Sequence, residues 1–242
     1  MSDEVLSQLA PTGTLRAGIN MANKLLVTGE SASGDPDGVG PEFAAAIGER
    51  LGVPIAYIPF ASPGELADAV GSGVWDIGLI GAEPSRAEKI AFTAAYVEIE
   101  ATYLVPEGSP FQTIDDVDRD GVRIAVSGRS AYDLYLTRSL KHAELVRAQG
   151  LPGALELFVA EKLDALAGLR PALNNDVGKV PGARILEGRF TAVQQAVGTV
   201  KRNAAAAAFL AAFVEEQKAS GMVAGLIEKH GVVGRLSVAP AA

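Results

Sequence analysis

The sequence predicts a two-lobed α/β protein, and three observations predict it. Apolar strand-like runs alternate with one-face helical repeats, the pattern of a sheet with covered faces. The pattern restarts after a Pro/Gly-rich linker at 106–110, and near 191–200 the chain crosses back before an alanine-rich helix. With 242 residues, 48% of them hydrophobic, the chain can bury two cores in lobes of roughly 100 residues each. A chain that leaves one lobe and later returns has two crossovers, the topology that hinge closure around a cleft uses. The expected division is 1–103 with 197–242 for the first lobe and 104–196 for the second.

Each element has a local reason. Residues 15–19 read as the first strand, and 20–40 as a long Gly/Ser/Asp-rich loop of the kind that forms functional surfaces. Pro41 suits the N1 position of a helix. Phe43, Ile47 and Leu51 then repeat on one face until Gly52 stops it. Residues 53–60 alternate as a strand. Ser62-Pro63-Gly64-Glu65 reads as a capping box with Leu66 and Val70 as the buried stripe behind it.

The most informative stretch is 76–96. A buried strand at 77–80 reaches a turn at Gly81, a short helix carries Arg86, and Phe92 and Tyr96 lead into the next strand. Trp75, just before the strand, is placed to pack a helix end. In the second half, 122–126 is a new apolar strand. Ser127-Gly128-Arg129-Ser130 turns into a helix containing Tyr132, Leu136 and Leu140. Residues 164–169 form a strand after another helix, and the helix at 203–220 packs on the first lobe.

Composition removes several function classes. Net charge is 21 − 29 = −8 and no Lys/Arg-rich run occurs, which argues against nucleic acid and anionic membrane surfaces as partners. Without cysteine there is no disulfide and no thiol nucleophile. The two histidines, His142 and His230, have no second ligand at metal spacing, so both read as surface residues; no metal and no cofactor is expected. No apolar stretch is long enough to span a bilayer. The amino terminus has no basic region followed by an apolar run, hence no export signal. The expected location is cytoplasmic if this start is native and periplasmic if a signal was removed. There is no Gly-x-Ser-x-Gly elbow and no phosphate loop, and Gly38-x-Gly40 lacks the third glycine and the preceding strand of a dinucleotide site.

Two places suit an anionic ligand. Open α/β sheets bind ligands beyond the carboxyl ends of strands, which is where Gly81 and Arg86 fall and where Asn20 ends the first strand. A guanidinium matches a carboxylate with two parallel donors. The alternative is a solvent-exposed helix arginine paired with Glu83 or Glu88. A helix starting after Gly128 presents the N–H groups of Ser130, Ala131 and Tyr132, an anion seat. Ser130 is also an ordinary N-cap, and the side chains of Arg129 and Tyr132 either face the ligand or point to solvent.

These segments together resemble family 3 extracellular solute-binding proteins, the amino-acid receptors of ABC importers, over about residues 13–231. The stretch 38–52 is similar to the family's "Gly-Phe-Asp … Ala-Ile-Ala … Leu-Gly" helix, and 76–96 to its "Asp … Thr-Pro-Glu-Arg … Phe-Ser … Tyr" segment. Arg86, six positions before Phe92, falls on the ligand-binding arginine. Gly128-Arg129-Ser130 stands in place of the "Gly-Thr-Thr" turn that takes the ligand carboxylate, and Asp164-Ala165 matches the "Asp-Ala" strand. The resemblance implies a type II periplasmic-binding-protein-like fold, two lobes joined by two hinge crossovers and closing on a small carboxylate-bearing ligand. It further implies a monomer without direct membrane insertion and an ABC permease as partner.

Three departures stand out. Leu169 occupies the position of the aspartate that pairs with a ligand's α-ammonium, Glu83 replaces a threonine, and Val39 replaces a covering ring. Glu83 is then either a substitute ammonium partner or a partner of Arg86. Two other readings remain at this point: a cyclohexadienyl-dehydratase-like enzyme using Glu83 as acid–base group, and a cytoplasmic sensor or scavenger without a transporter.

Overall fold

A computed structural model describes residues 2–242. The chain packs as two units. One runs from the amino terminus to Glu98 and resumes over Gln194–Ala242; the other is Ile99–Val193. The divisions fall inside two long strands, at 98/99 and 193/194, compared with 103/104 and 196/197 read from the sequence.

The first unit opens with α1 (Asp3–Leu9), whose first turn is capped by Ser2 Oγ accepting from Val5 N at 3.4 Å. After β1 (Leu15–Asn20), the polar loop contains a small hairpin, β2 (Gly29–Glu30) and β3 (Pro36–Asp37). Helix α2 (Val39–Leu51) starts two residues earlier than expected, so Pro41 is its third residue and not its first. Gly38 sets this start. It caps the helix at φ 146°, and a Cβ there would stand 2.3 Å from Leu26 O. A proline at the third position costs nothing, because the first amides of a helix have no internal acceptor. Gly52 ends the helix in the left-handed region, φ 72°.

Next come β4 (Ile55–Phe60) and α3 (Pro63–Asp68), the latter capped by Ser62 Oγ accepting from Glu65 N at 3.2 Å. They are followed by β5 (Ile77–Gly81) and the 16-residue β6 (Ile90–Val105), which carries the chain out of this unit. β1 lies between β4 and β5, parallel to both. All five residues of β5 are buried, as a strand covered on both faces requires. Trp75 is buried against Leu66 and donates its indole N–H to Leu66 O at 3.0 Å, at the end of α3.

In the second unit β6 is followed by β7 (Arg123–Ser127), α4 (Ala131–Ser139), β8 (Glu144–Ala148), α5 (Gly150–Ala160), β9 (Ala165–Leu169), α6 (Arg170–Asp176) and β10 (Arg184–Ile185). β7 sits between β8 and β9, parallel to both, and β9 pairs antiparallel with Ala101–Leu104 of β6. Leu104, Phe158, Leu163, Leu166 and Leu173 form the core. Burying each such side chain contributes about 1.5–3 kcal/mol.

β11 (Thr191–Val200) returns the chain to the first unit and lies antiparallel to β5, with Gln195 opposite Gly81. Then follow α7 (Ala204–Ala219), α8 (Met222–Lys229) and β12 (Ser237–Val238), which pairs with β6. α7 packs on α1, and α8 on α2. The Phe43 ring stacks on Tyr96 at 4.7 Å and meets Phe213 edge-on at 5.7 Å. Among the described residues no helix is long and apolar enough to cross a membrane.

Candidate functional site

In the first unit the site residues gather around the carboxyl ends of β1 and β5. The expected short helix after β5 is absent. Residues 83–89 form successive turns, in which Glu83 O accepts from Arg86 N (3.0 Å) and Ala87 N (2.9 Å), and Arg86 O accepts from Lys89 N and Ile90 N. Pro84 and the start of β6 at Ile90 leave too little chain for a regular helix. Arg86 is only 7% exposed, and its Nη1 donates to Gly81 O at 2.7 Å. It is therefore not an exposed surface arginine: its charge is buried at the end of the strand, tied to the strand's last carbonyl. Glu83 is half-buried in the same turn.

Asn20 ends β1, and its Oδ1 accepts from Ala22 N at 3.2 Å, shaping the entry to the 20–38 loop. That loop holds a shallow depression lined by Met21, Lys24, Val27, Thr28, Gly29 and Glu30. Tyr96 is fully buried, its hydroxyl has no hydrogen-bond partner among the described residues, and burial pushes its pKa well above the ordinary tyrosine range. It is a core residue.

The second unit builds its candidate seat at the start of α4. Arg129 adopts φ 63°, an uncommon conformation for a side-chain-bearing residue. Ser130 Oγ accepts from Asp133 N at 3.1 Å, while the Asp133 carboxylate accepts from Arg129 N at 2.7 Å. Ser130 N is turned back to Ser127 O at 3.3 Å, so this amide is not part of an open seat as the sequence suggested. The first-turn amides that remain are those of Ala131 and Tyr132, which have no carbonyl one turn behind them. Tyr132 is 4% exposed and does not point to solvent. Among the described residues its hydroxyl finds no hydrogen bond of ordinary geometry. Burial drives its pKa up, and the nearby Ser130 and Ser127 side chains pull weakly the other way. Arg129 itself is exposed.

Sequence reasoning missed Asp133 and Arg147. Asp133 is 2% exposed, and Arg147 Nε donates to both its oxygens at 3.0 and 3.2 Å. The spacing Ser130-x-x-Asp133 was the available signal, since an acid three residues after an N-cap serine marks a capped helix start; here the acid accepts from Arg129 N and not from Ser130 N. Leu169 ends β9 and is buried, so no carboxylate stands there. The next residue, Arg170, pairs with Glu100 at 2.9 Å.

One group of side chains has metal-ligand chemistry. Asp37, Glu42 and His230 bring one ligand atom each to within 4.8 Å of one another. The His230 side chain is 7% exposed, with Nε2 at 2.8 Å from Glu42 Oε1 and Nδ1 at 3.2 Å from Thr28 Oγ1. It is thus not the surface histidine expected. Lys229 Nζ sits 2.7 Å from both Glu42 oxygens and already supplies the compensating cation, so the cluster reads as an ion-pair network joining α2 to the end of α8.

A search of curated protein sequences finds no match. Solved structures give strong likenesses in fold. A mutant of ArgBP from T. maritima aligns with TM-score 0.73 at 20% identity, covering 94% of this chain and 99% of that one. The ancestral amino acid-binding protein AncCDT-1, a precursor of cyclohexadienyl dehydratase, gives 0.73 at 20%, covering 93% and 98%. The amino acid ABC transporter substrate-binding protein AbpA from Streptococcus pneumoniae, bound to L-arginine, gives 0.72 at 19%, covering 92% and 96%. These likenesses establish the type II periplasmic-binding-protein fold, a mixed sheet flanked by helices. The sequence profile of bacterial extracellular solute-binding proteins, family 3, matches residues 15–233, and the chain belongs to that family of binding proteins.

Proposed function

We propose that this protein binds a small carboxylate-bearing molecule, an amino acid or a related organic acid, and delivers it to an ABC-type permease or a sensor. The observation that carries the proposal is Arg86, a buried guanidinium fixed at the carboxyl end of a strand in a chain of this family. A desolvated arginine so placed is suited to a carboxylate, since its planar donors match the two oxygens and little water competes. The first-turn amides of α4, those of Ala131 and Tyr132 next to Ser130, are a second set of donors suited to a carboxylate. Asn20, Glu83, Gly81 and Arg129 stand at the margins of these two groups. AbpA, of the same fold, is bound to L-arginine, which makes basic and polar amino acids the first compounds to try. Leu169 favours acids that carry no ammonium, or amino acids whose ammonium is met by Glu83.

A thermal-shift panel of amino acids, keto acids and hydroxy acids tests the reading, with Arg86→Ala in parallel. A ligand at a hundredfold its Kd adds about 2.7 kcal/mol to the bound form, several degrees for a chain of this length. A shift present in the native protein and missing in Arg86→Ala supports the proposal and names the ligand class. An equal shift in the variant removes Arg86 from the site.

A further inference from the structure

The amino end of α4 presents an electrostatic problem. Its free amides and helix dipole favour an anion, yet Asp133 has brought its own carboxylate to the same turn. That carboxylate is needed there. It accepts from Arg129 N at 2.7 Å and so holds the left-handed turn (φ 63°) that aims the chain into the helix. A second anion arriving at Ala131 and Tyr132 would meet a fixed negative charge a few ångströms away. Arg147 removes the conflict. Reaching from β8, it places Nε at 3.0 and 3.2 Å from the two Asp133 oxygens and Nη2 at 2.8 Å from Thr137 Oγ1. Thr137 Oγ1 in turn donates to Asp133 O at 2.8 Å, closing the network on the helix itself.

We infer that Asp133 and Arg147 are the positioning pair of the α4 anion seat: Asp133 shapes the turn, and Arg147 cancels the charge that Asp133 brings with it. Neither side chain touches the ligand. This rests on the reading of α4 as a ligand-binding end, and it predicts opposite signs for the two partners. Arg147→Ala leaves a buried, uncompensated carboxylate beside the amides and weakens anion binding. Asp133→Asn keeps an oxygen for Arg129 N, leaves Arg147 unopposed, and holds or strengthens anion binding. The double variant Asp133→Asn/Arg147→Ala is neutral again and returns toward the native affinity.

The probe is sodium acetate, the smallest carboxylate, titrated into the full chain at fixed ionic strength. The readout is the backbone amide NMR signals of Ala131 and Tyr132. The native protein should show saturable shifts at both. Arg147→Ala should weaken acetate by at least about fivefold, the effect of one unit charge about 4 Å away even at the dielectric of water, and the double variant should recover most of that loss. A purely structural role would weaken binding in both single variants and most of all in the double, and that result overturns the inference. Unchanged affinity in Arg147→Ala, with the native response present, overturns it while leaving the seat intact. A native protein whose two amides ignore acetate overturns the seat, and this inference with it; the Arg86→Ala comparison is unaffected by that outcome.

Discussion

Asp76 sits at the opposite end of β5 from Gly81 and holds the strands that carry the first unit's candidate residues. Its carboxylate is 5% exposed and accepts three hydrogen bonds from one residue: Arg16 N at 2.9 Å, Arg16 Nε at 2.9 Å and Arg16 Nη2 at 2.6 Å. Arg16 also donates to Gly73 O, and the carboxylate raises its pKa. Asp76→Ala removes all three bonds and leaves a guanidinium that is only 24% exposed without its counter-charge. Breaking a buried pair from one side costs about 3–5 kcal/mol; the water that reaches Arg16 lowers the expected cost to about 2–4 kcal/mol. At about 2–4 °C per kcal/mol for a chain of this length, calorimetry should show Tm falling by roughly 6–12 °C for a 3 kcal/mol loss. If the two units melt separately, only the transition of the first should move. Removing both charges, Arg16→Leu/Asp76→Leu, should restore a large part of the loss, because the penalty lies in the stranded charge. A loss below about 1 kcal/mol in Asp76→Ala, or a double variant worse than the single, would refute the reasoning.

Three further outcomes are expected. Gly38→Ala should cost about 2 kcal/mol or more, since the new Cβ would sit 2.3 Å from Leu26 O at a φ of 146° that side chains avoid; denaturant unfolding reads the loss, and a neutral result would show that the α2 start can shift. Glu42 feels burial that would raise its pKa, but hydrogen bonds from Lys229 and His230 outweigh it and hold the carboxyl below its ordinary value of 4.5. A depressed folded pKa gives stability that is complete above the unfolded value and fades as pH falls through the folded one. Native protein should therefore lose its advantage over Glu42→Gln below pH 4.5, and parallel stability curves across that range would sink the idea. Tyr96→Phe removes a buried hydroxyl that has no partner among the described residues and keeps the ring stack on Phe43; stability should hold or rise by about 1 kcal/mol, and a fall larger than that would reveal a solvent partner.

Much of the fold was readable because it rests on local chemistry. The strand at 77–80, the stop at Gly52, the caps at Ser62 and Ser130 and the return at 191–200 all follow from apolar runs, glycine conformations and hydroxyl acceptors within a few residues. Where a long-range contact decided, the sequence was silent or misleading. The start of α2 is set by Gly38 fitting against Leu26 and Thr28, so a proline rule pointed two residues too late. His230 looked like a surface residue because Glu42, its partner, lies 188 positions away. Arg86 was legible from its segment, but its burial and its bond to Gly81 O depend on the turns at 83–89, where the sequence predicts a helix. Arg147 gave no local signal at all, because strand β8 meets α4 only through the fold.

The charges of the two candidate groups bear on what ligand the protein takes. Arg86 brings one cation, which its own turn fixes through the Gly81 carbonyl. At the start of α4 the Asp133 and Arg147 charges cancel, leaving the dipoles of the Ala131 and Tyr132 amides and the exposed Arg129 beside them. Leu169 adds no charge. A monocarboxylate suits either group without help. An amino acid brings an additional ammonium, which needs an acceptor, and among the residues singled out only Glu83 carries one of the right sign. The balance between keto or hydroxy acids and amino acids therefore turns on whether Glu83 faces the ligand or its own turn. The compound panel reads that choice directly: preference for the amino acid over the keto acid of the same carbon skeleton assigns Glu83 to the ammonium, and the reverse preference assigns it to the protein.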